Sequence, residues 1–179
     1  MSGNDLENNN ETQFIIRPAL PADIGERGEG KLRDIFNAVR RSERAQRRSP
    51  LDPPHYDRWA ETMEAQAKGS QRHQALLAEK DGKPVGFCHA VHTLRNTHTT
   101  LNVLFIAPDV QKSGLGRQFI EAVVIRAGTL GKQEVRVSAE HGKDKATHFY
   151  QHLGFKVTET EELKDGGKKD HLVLALQAP

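Results

Sequence analysis

Between Gln111 and Arg117 the chain reads QKSGLGR, which puts two glycines, an amide and two cationic side chains within seven residues. The run follows an apolar stretch and opens a segment whose apolar residues, Leu115, Phe119, Val123 and Ala127, recur at helical spacing. The first turn of a helix exposes backbone N–H groups that have no partner inside it. With the positive end of the helix dipole, such donors make an anion site. Glycine at 114 and 116 lets an oxygen approach the backbone where a Cβ would collide. Gln111, Lys112 and Arg117 can add donors or charge. The spacing excludes two phosphate loops: no G-x-x-x-x-G-K-[ST] occurs, and a G-x-G-x-x-G dinucleotide loop needs glycine or alanine where Phe119 stands. A structural turn would use the same residues, so alone the loop says only "anion".

The histidines argue against metal chemistry. His89 and His92 stand at i, i+3 in a strand segment and therefore point to opposite faces. His148 and His152 are i, i+4 on a helix, but HFYQH lacks the glutamate of H-E-x-x-H, so they read as a solvated pair. Cys88 is the single cysteine, which removes any intramolecular disulfide or cysteine-based zinc site and fits a reducing cytosol.

The elements that must position these groups follow from periodicity. Phe14–Leu20 reads as a first strand ended by Pro21. Leu32, Ile35, Phe36 and Val39 predict a helix over 30–47, and the prolines of SPLDPP (49–54) force a loop after it. Tyr56, Trp59, Ala60 and Met63 mark a second helix over 55–68. A hairpin follows, with strands 73–79 and 84–93 joined at KDGK. TTLNVLFIA (99–107) alternates and then turns apolar on both faces, as a buried central strand does. A helix over 114–130, a strand over 134–139, a short helix over 143–153 and a hairpin of strands 155–163 and 170–177 complete the chain. The order β-α-α-β-β-β-α-β-α-β-β predicts one α/β (α+β) domain over 13–179, a mixed, mostly antiparallel sheet with helices on both faces. Residues 1–12 are polar and Asn-rich and read as a disordered tail.

Composition bounds the function. The chain has 179 residues, 36% hydrophobic and 28% charged, enough for one real core. No run is long and apolar enough for a membrane helix, and the N-terminus lacks a secretory pattern, so the expected setting is the cytoplasm, without a membrane partner. A net charge of +2 is too mild for a nucleic-acid binder. Seven cationic residues between Lys31 and Arg48 face only Asp34 and Glu43, but basic and aromatic residues do not interleave there as stacking sites require. That run is either a solvated helix face or a surface for an anionic ligand.

Two motifs together are more specific than either. IAPDVQKSGLGRQFI resembles the acetyl-CoA loop of the GNAT superfamily of N-acetyltransferases, [QR]-x-x-G-x-[GA] after a strand ending near a proline, with Gln111, Gly114 and Gly116 in the defined positions. Downstream, A-x-x-F-Y-x-x-x-G-F is matched by Ala146, Phe149, Tyr150, Gly154 and Phe155, and FIIRPALPAD looks like the family's opening strand. The resemblance runs over about residues 14 to 176. It implies that acetyl-CoA, as acetyl donor, lays its pyrophosphate on the backbone of Gln111, Lys112, Ser113, Gly114, Leu115, Gly116 and Arg117. Its pantetheine arm would pair with the backbone at Phe105 and Ile106, and its thioester would point toward Tyr150. Lys143 and Lys145 would reach the adenosine phosphates, although residue 143 is often asparagine in the family.

The implied reaction is direct acetyl transfer to a primary amine. An alkyl ammonium must lose a proton to react at neutral pH, and the thiolate leaving group needs one. A tyrosine stays protonated at pH 7 and can donate, which makes Tyr150 the expected general acid. The N–H of a central-strand residue such as Ile106 would polarise the carbonyl. Relatives keep Glu or His where Thr100 and Asn102 stand here, and neither residue is a base. Asn102 could orient a water, and His98, Glu140 and His141 are other candidates. The acceptor, a small molecule or a protein amine, would be shaped by the first two helices and the last hairpin. There the basic run and the acidic TETEE (158–162) give opposing cues. The same fold could also serve as a non-catalytic acyl-CoA-binding or regulatory module, and it leaves room for a homodimer.

Overall fold

The computed structural model describes residues 14–24, 30, 33, 55–141, 144–164 and 166–177, with backbone alone at 55–59 and 144. Along the chain run β1 (Ile15–Pro18), α1 (Pro21–Ile24), α2 (His55–Ala67), β2 (His73–Lys80), β3 (Lys83–Val91), β4 (His98–Ile106), a 3-10 turn (Pro108–Val110), α3 (Leu115–Thr129), β5 (Glu134–Glu140), α4 (Asp144–His152), β6 (Lys156–Glu162) and β7 (Lys168–Ala175). Each long element lies within about two residues of its expected bounds. The expected helix over 30–47 falls outside the described residues except at Gly30 and Arg33, as do the tail 1–12, the loop 49–54 and Lys143.

Two single-turn elements were not expected. Pro21 supplies the fixed φ that suits a first helical position. The N–H of Leu20 donates to Asp23 Oδ2 at 2.7 Å, half of a capping box, and this starts α1 and shortens β1. Arg17 then ties the corner together: its two terminal nitrogens donate to the two Asp23 oxygens at 2.8 Å each, and Nε donates to Glu79 Oε2 at 3.0 Å. Both carboxylates hold the guanidinium charged, against the smaller effect of burial. Pro108 starts the second turn, immediately after β4.

Seven strands form one sheet in the order β1-β2-β3-β4-β5-β7-β6. Every neighbouring pair is antiparallel except β4–β5, which is parallel and is bridged by α3. Apolar residues cover both sheet faces. On one, α3 and α4 bury Phe119, Val123 and Tyr150 against Cys88, Leu101, Val135, Val137 and Leu172. On the other, Ile24 and Met63 cover Ala75, Leu77 and Phe87. Burying both faces is what makes the middle strands read as nearly continuous apolar runs.

The β4–β5 pairing is short. It runs from His98↔Glu134 to Leu101↔Val137, while β4 continues to Ile106 and β5 to Glu140. On its other edge β4 stays paired with β3 as far as Ile106↔Gly86. That pairing slips between His89↔Val103 and Ala90↔Leu101, leaving Asn102 as the extra residue of a bulge. The central sheet therefore opens at the C-terminal ends of its two parallel strands, and the bulge lies where the opening begins.

Candidate active site

The loop from Gln111 to Arg117 sits at the mouth of this opening. Gln111 Nε2 donates to the Ile106 carbonyl at 3.3 Å, and Ser113 Oγ donates to the Val110 carbonyl at 2.6 Å, so the loop is pinned to the end of β4. Two residues take left-handed backbone, Lys112 at φ 67° and Gly114 at φ 84°. The first main-chain bond of α3 runs from the Gln118 N–H to the Gly114 carbonyl. The N–H groups of Leu115, Gly116 and Arg117 find no acceptor among the described residues, which leaves a row of donors facing outward.

The two glycines have different reasons. A Cβ at Gly114 would meet nothing within 4 Å, so its requirement is the positive φ that caps the helix. A Cβ at Gly116 would stand 2.9 Å from Phe149 Cζ and 3.0 Å from Ile106 Cδ1. Gly116 thus lets α3 seat on β4 and α4, which the expectation of close oxygen approach did not anticipate.

Tyr150 lies on α4, buried at 8% exposure, with edge-to-face contacts to Phe149 and Phe155 at ring-centre distances of 5.1 and 5.4 Å. Its hydroxyl makes no hydrogen bond to any described residue, so the backbone acceptor of a purely structural tyrosine is not found. Burial pushes its ionisation well above the usual phenol range, with a smaller push from the nearby Cys88 thiol. A buried O–H with no partner among the described residues is uncommon in a folded protein. Phe105 and Ile106 are half-buried at the end of β4, beyond the last β4–β5 pair, Leu101↔Val137.

The base candidates separate by position. Thr100 and Asn102 line a cavity of roughly 700 Å³ on the sheet face turned away from α3 and α4. His98 begins β4, four residues before Asn102 or roughly 13 Å along a strand, and it pairs beside Glu134 at the closed end. Glu140 and His141 lie at the open end of β5. His141 Nδ1 is 2.8 Å from Asp170 Oδ1, and Asp170 also accepts from Thr160 Oγ1 at 2.8 Å and Thr147 Oγ1 at 3.1 Å. Burial alone would raise the Asp170 pKa, but the hydrogen bonds from Thr160, His141 and Thr147 outweigh it and hold the carboxyl below its usual range. Because Thr147 belongs to α4, this cluster stands on the helix side, behind the cavity.

One arrangement had no sequence signal. Ser138, His171 and Glu161 form a chain across β5, β7 and β6 on the cavity side. These residues are 33 and 10 positions apart, and only the strand order brings them together. Elsewhere, His89 and His92 do point to opposite faces: His89 stacks on His73 at 5.7 Å, whereas His92 bonds Thr99 and Gln74. His148 and His152 are exposed on α4.

Known proteins share parts of this sequence and this fold. A family model described as an acetyltransferase (GNAT) domain matches residues 71–157. The peptidyl-lysine N-acetyltransferase YjaB of Escherichia coli is 36% identical over 90 residues, covering 50% of this chain and 53% of that protein. The mycothiol acetyltransferase of Propionibacterium freudenreichii is 26% identical over 89 residues, covering 50% of this chain and 24% of that protein. The chain thus spans about half the length of the first relative and about a quarter of the second. Among solved structures, yncA from Salmonella typhimurium with its cofactor acetyl-CoA superposes at a TM-score of 0.65 and 19% identity, covering 92% of this chain and 94% of that one. The matched residues hold the short β4–β5 pair, the glycine loop and Tyr150, and the whole sheet has the fold of that structure; over residues 71–157, a little under half of the chain, the sequence is similar to a GNAT acetyltransferase domain.

Proposed function

We propose that the chain is an acetyl-CoA-dependent N-acetyltransferase that moves an acetyl group directly to a primary amine. The observation that carries this is the end of the β4–β5 pairing at Leu101↔Val137, beside a loop whose N–H donors at Leu115, Gly116 and Arg117 find no acceptor among the described residues. In this reading residues 13–179 act as one domain. The backbone from Gln111 to Arg117 holds the pyrophosphate, and the backbone at Phe105 and Ile106 pairs with the pantetheine arm. Lys143 reaches the adenosine phosphates.

The amine nitrogen attacks the thioester carbonyl carbon, a C–N bond forms and the C–S bond breaks. Tyr150 gives its proton to the departing sulfur and is reprotonated from solvent. Burial supports this role, because a neutral phenol is the form that can donate. Asn102 orients a water at the bulge. The acceptor is a small-molecule or protein amine; the acceptor in YjaB's name, a peptidyl lysine, makes protein lysine a first choice to test. A cytoplasmic setting suits a lone, buried thiol.

The test is titration calorimetry with acetyl-CoA, followed by free-thiol release with a panel of amines. Binding with turnover supports the enzyme. Binding without turnover on any amine favours a non-catalytic acyl-CoA module, a reading motivated by the absence of a carboxylate or imidazole at Thr100 and Asn102. Failure to bind acetyl-CoA overturns both.

A further inference from the structure

We propose that Ser138, His171 and Glu161 form the proton relay that takes the proton from the acceptor ammonium; this rests on the acetyltransferase reading above. Ser138 Oγ is 3.0 Å from His171 Nδ1, and His171 Nε2 is 3.1 Å from Glu161 Oε2. The carboxylate can only accept, which fixes Nε2 as the protonated nitrogen and leaves Nδ1 to accept from the serine hydroxyl. Thr158 Oγ1 donates to the His171 carbonyl at 3.2 Å, which steadies the backbone under the ring.

The relay starts at the right place. Val137 is the last β5 residue paired with β4, so Ser138 is the first residue past the point of opening, across from Asn102. Ser138, His171 and Asn102 all line the same cavity. Val135, Val137 and Ala139 pack into the core under α3 and α4, so alternation along β5 turns Ser138 to the opposite face. The same alternation on β7 separates His171 from Asp170, and it is why the His141–Asp170 pair faces away from the cavity. Ser138 is exposed, and His171 keeps 34% side-chain exposure, so a proton taken from the substrate can leave to water.

The step balances as follows. The ammonium passes one proton to Ser138 Oγ as the serine hydroxyl passes its own to His171 Nδ1, giving a neutral amine and an imidazolium held against Glu161. Attack forms the C–N bond and expels the thiolate, which is protonated through Tyr150. The nitrogen sheds its second proton to solvent, replacing the one Tyr150 gave up. The imidazolium then returns its proton to water, for a net release of one proton per turnover.

The experiment compares wild type with H171Q, S138A and E161Q, using thiol release on a working amine, a pH profile of kcat/KM, acetyl-CoA affinity and thermal unfolding. Among the described residues, the charged or titratable groups on this side of β4 to β7 include Lys156, Glu159 and Glu161 from β6, Glu134 and Arg136 from β5, Lys169 from β7 and His98 from β4. Arg136 is ion-paired with Glu134. We expect H171Q to lower kcat about 100-fold and to abolish the acid limb of kcat/KM, with acetyl-CoA affinity within about twofold of wild type. S138A should lose roughly tenfold, and E161Q, which keeps a hydrogen-bond acceptor for Nε2, about threefold. An H171Q enzyme with wild-type kcat and pH profile overturns the relay. So does an H171Q that unfolds or loses acetyl-CoA while S138A and E161Q keep full turnover. A wild type that turns over no amine overturns the acetyltransferase reading itself, a distinct result.

Discussion

Tyr150 combines two properties that rarely meet in one side chain: near-complete burial and a hydroxyl with no partner among the described residues. Leaving a hydroxyl so desolvated costs on the order of 1–3 kcal/mol, which a structural phenol would avoid by finding a carbonyl. Burial also fixes its protonation state. At about pH 10 an ordinary phenol is half ionised, while Tyr150 should remain neutral. Absorbance at 295 nm in the native protein should therefore show a phenol that ionises only when the fold is lost, and that late step should vanish in Y150F. Y150F should also cut turnover by about 100-fold while leaving acetyl-CoA affinity within about twofold. Full activity in Y150F would remove the tyrosine from the acid role. This residue was legible because its neighbours in sequence, Phe149 and Phe155, are also its neighbours in space. Ser138, His171 and Glu161 were not, because serine, histidine and glutamate on three separate strands acquire meaning only from register.

Among the elements, the junction of β4, α3 and α4 carries the proposed site, and Gly116 sets how closely they meet. G116A would drive a methyl to within 3.0 Å of both Phe149 and Ile106, on rings and branches already packed around Tyr150. We expect a loss of about 1–3 kcal/mol, read as a fall in Tm of roughly 3–10 °C, with weaker turnover as Phe149 shifts. G114A meets no neighbour but must hold φ 84°, costing about 1 kcal/mol, and G114N should recover part of that because asparagine tolerates left-handed backbone. Equal Tm values for G116A and wild type would mean that α3 does not need this close approach. The helices and strands were readable here because each long segment carries an unbroken period of 3.6 or 2. The one-turn helices at Pro21–Ile24 and Pro108–Val110 were not, since one turn has no period to read. Their signals were a proline at the first position and, for α1, Asp23 reaching back to the Leu20 N–H.

At the scale of the whole molecule, strands covered on both faces, as β2 and β3 are, must also bury whatever polar groups they carry, and β3 and its following residue carry two histidines. His92 is fully buried on one side: Thr99 Oγ1 lies 2.8 Å from Nδ1, and Nε2 donates to Gln74 Oε1 at 3.1 Å, with Gln74 Nε2 donating on to the Ala122 carbonyl of α3 at 3.2 Å. His89 is buried on the other side against His73. Burial, reinforced for His89 by His73 and for His92 by Arg126, lowers both pKa values to about 4. The mixed sheet with two cores was legible from the alternating patterns, but which strands are neighbours, and hence which histidines lose water, was settled only by the strand order. The consequence for stability has a definite sign. Unfolded histidine titrates near 6.5, so below that pH the unfolded chain binds protons that the native chain refuses. Stability is full above about pH 6.5 and drains away as pH falls toward 4, by about 2 kcal/mol per histidine between pH 7 and 5. Set against a typical domain stability of about 5–15 kcal/mol, that is enough to move a urea midpoint visibly. Circular-dichroism urea titrations at pH 7, 6 and 5 should give midpoints that fall together with pH. H89Q, which substitutes a neutral side chain, should shrink the fall by roughly half of the two-histidine contribution. A midpoint independent of pH across that range would mean the buried imidazoles accept protons in the native state, and the two-sided core would have to admit water at β3.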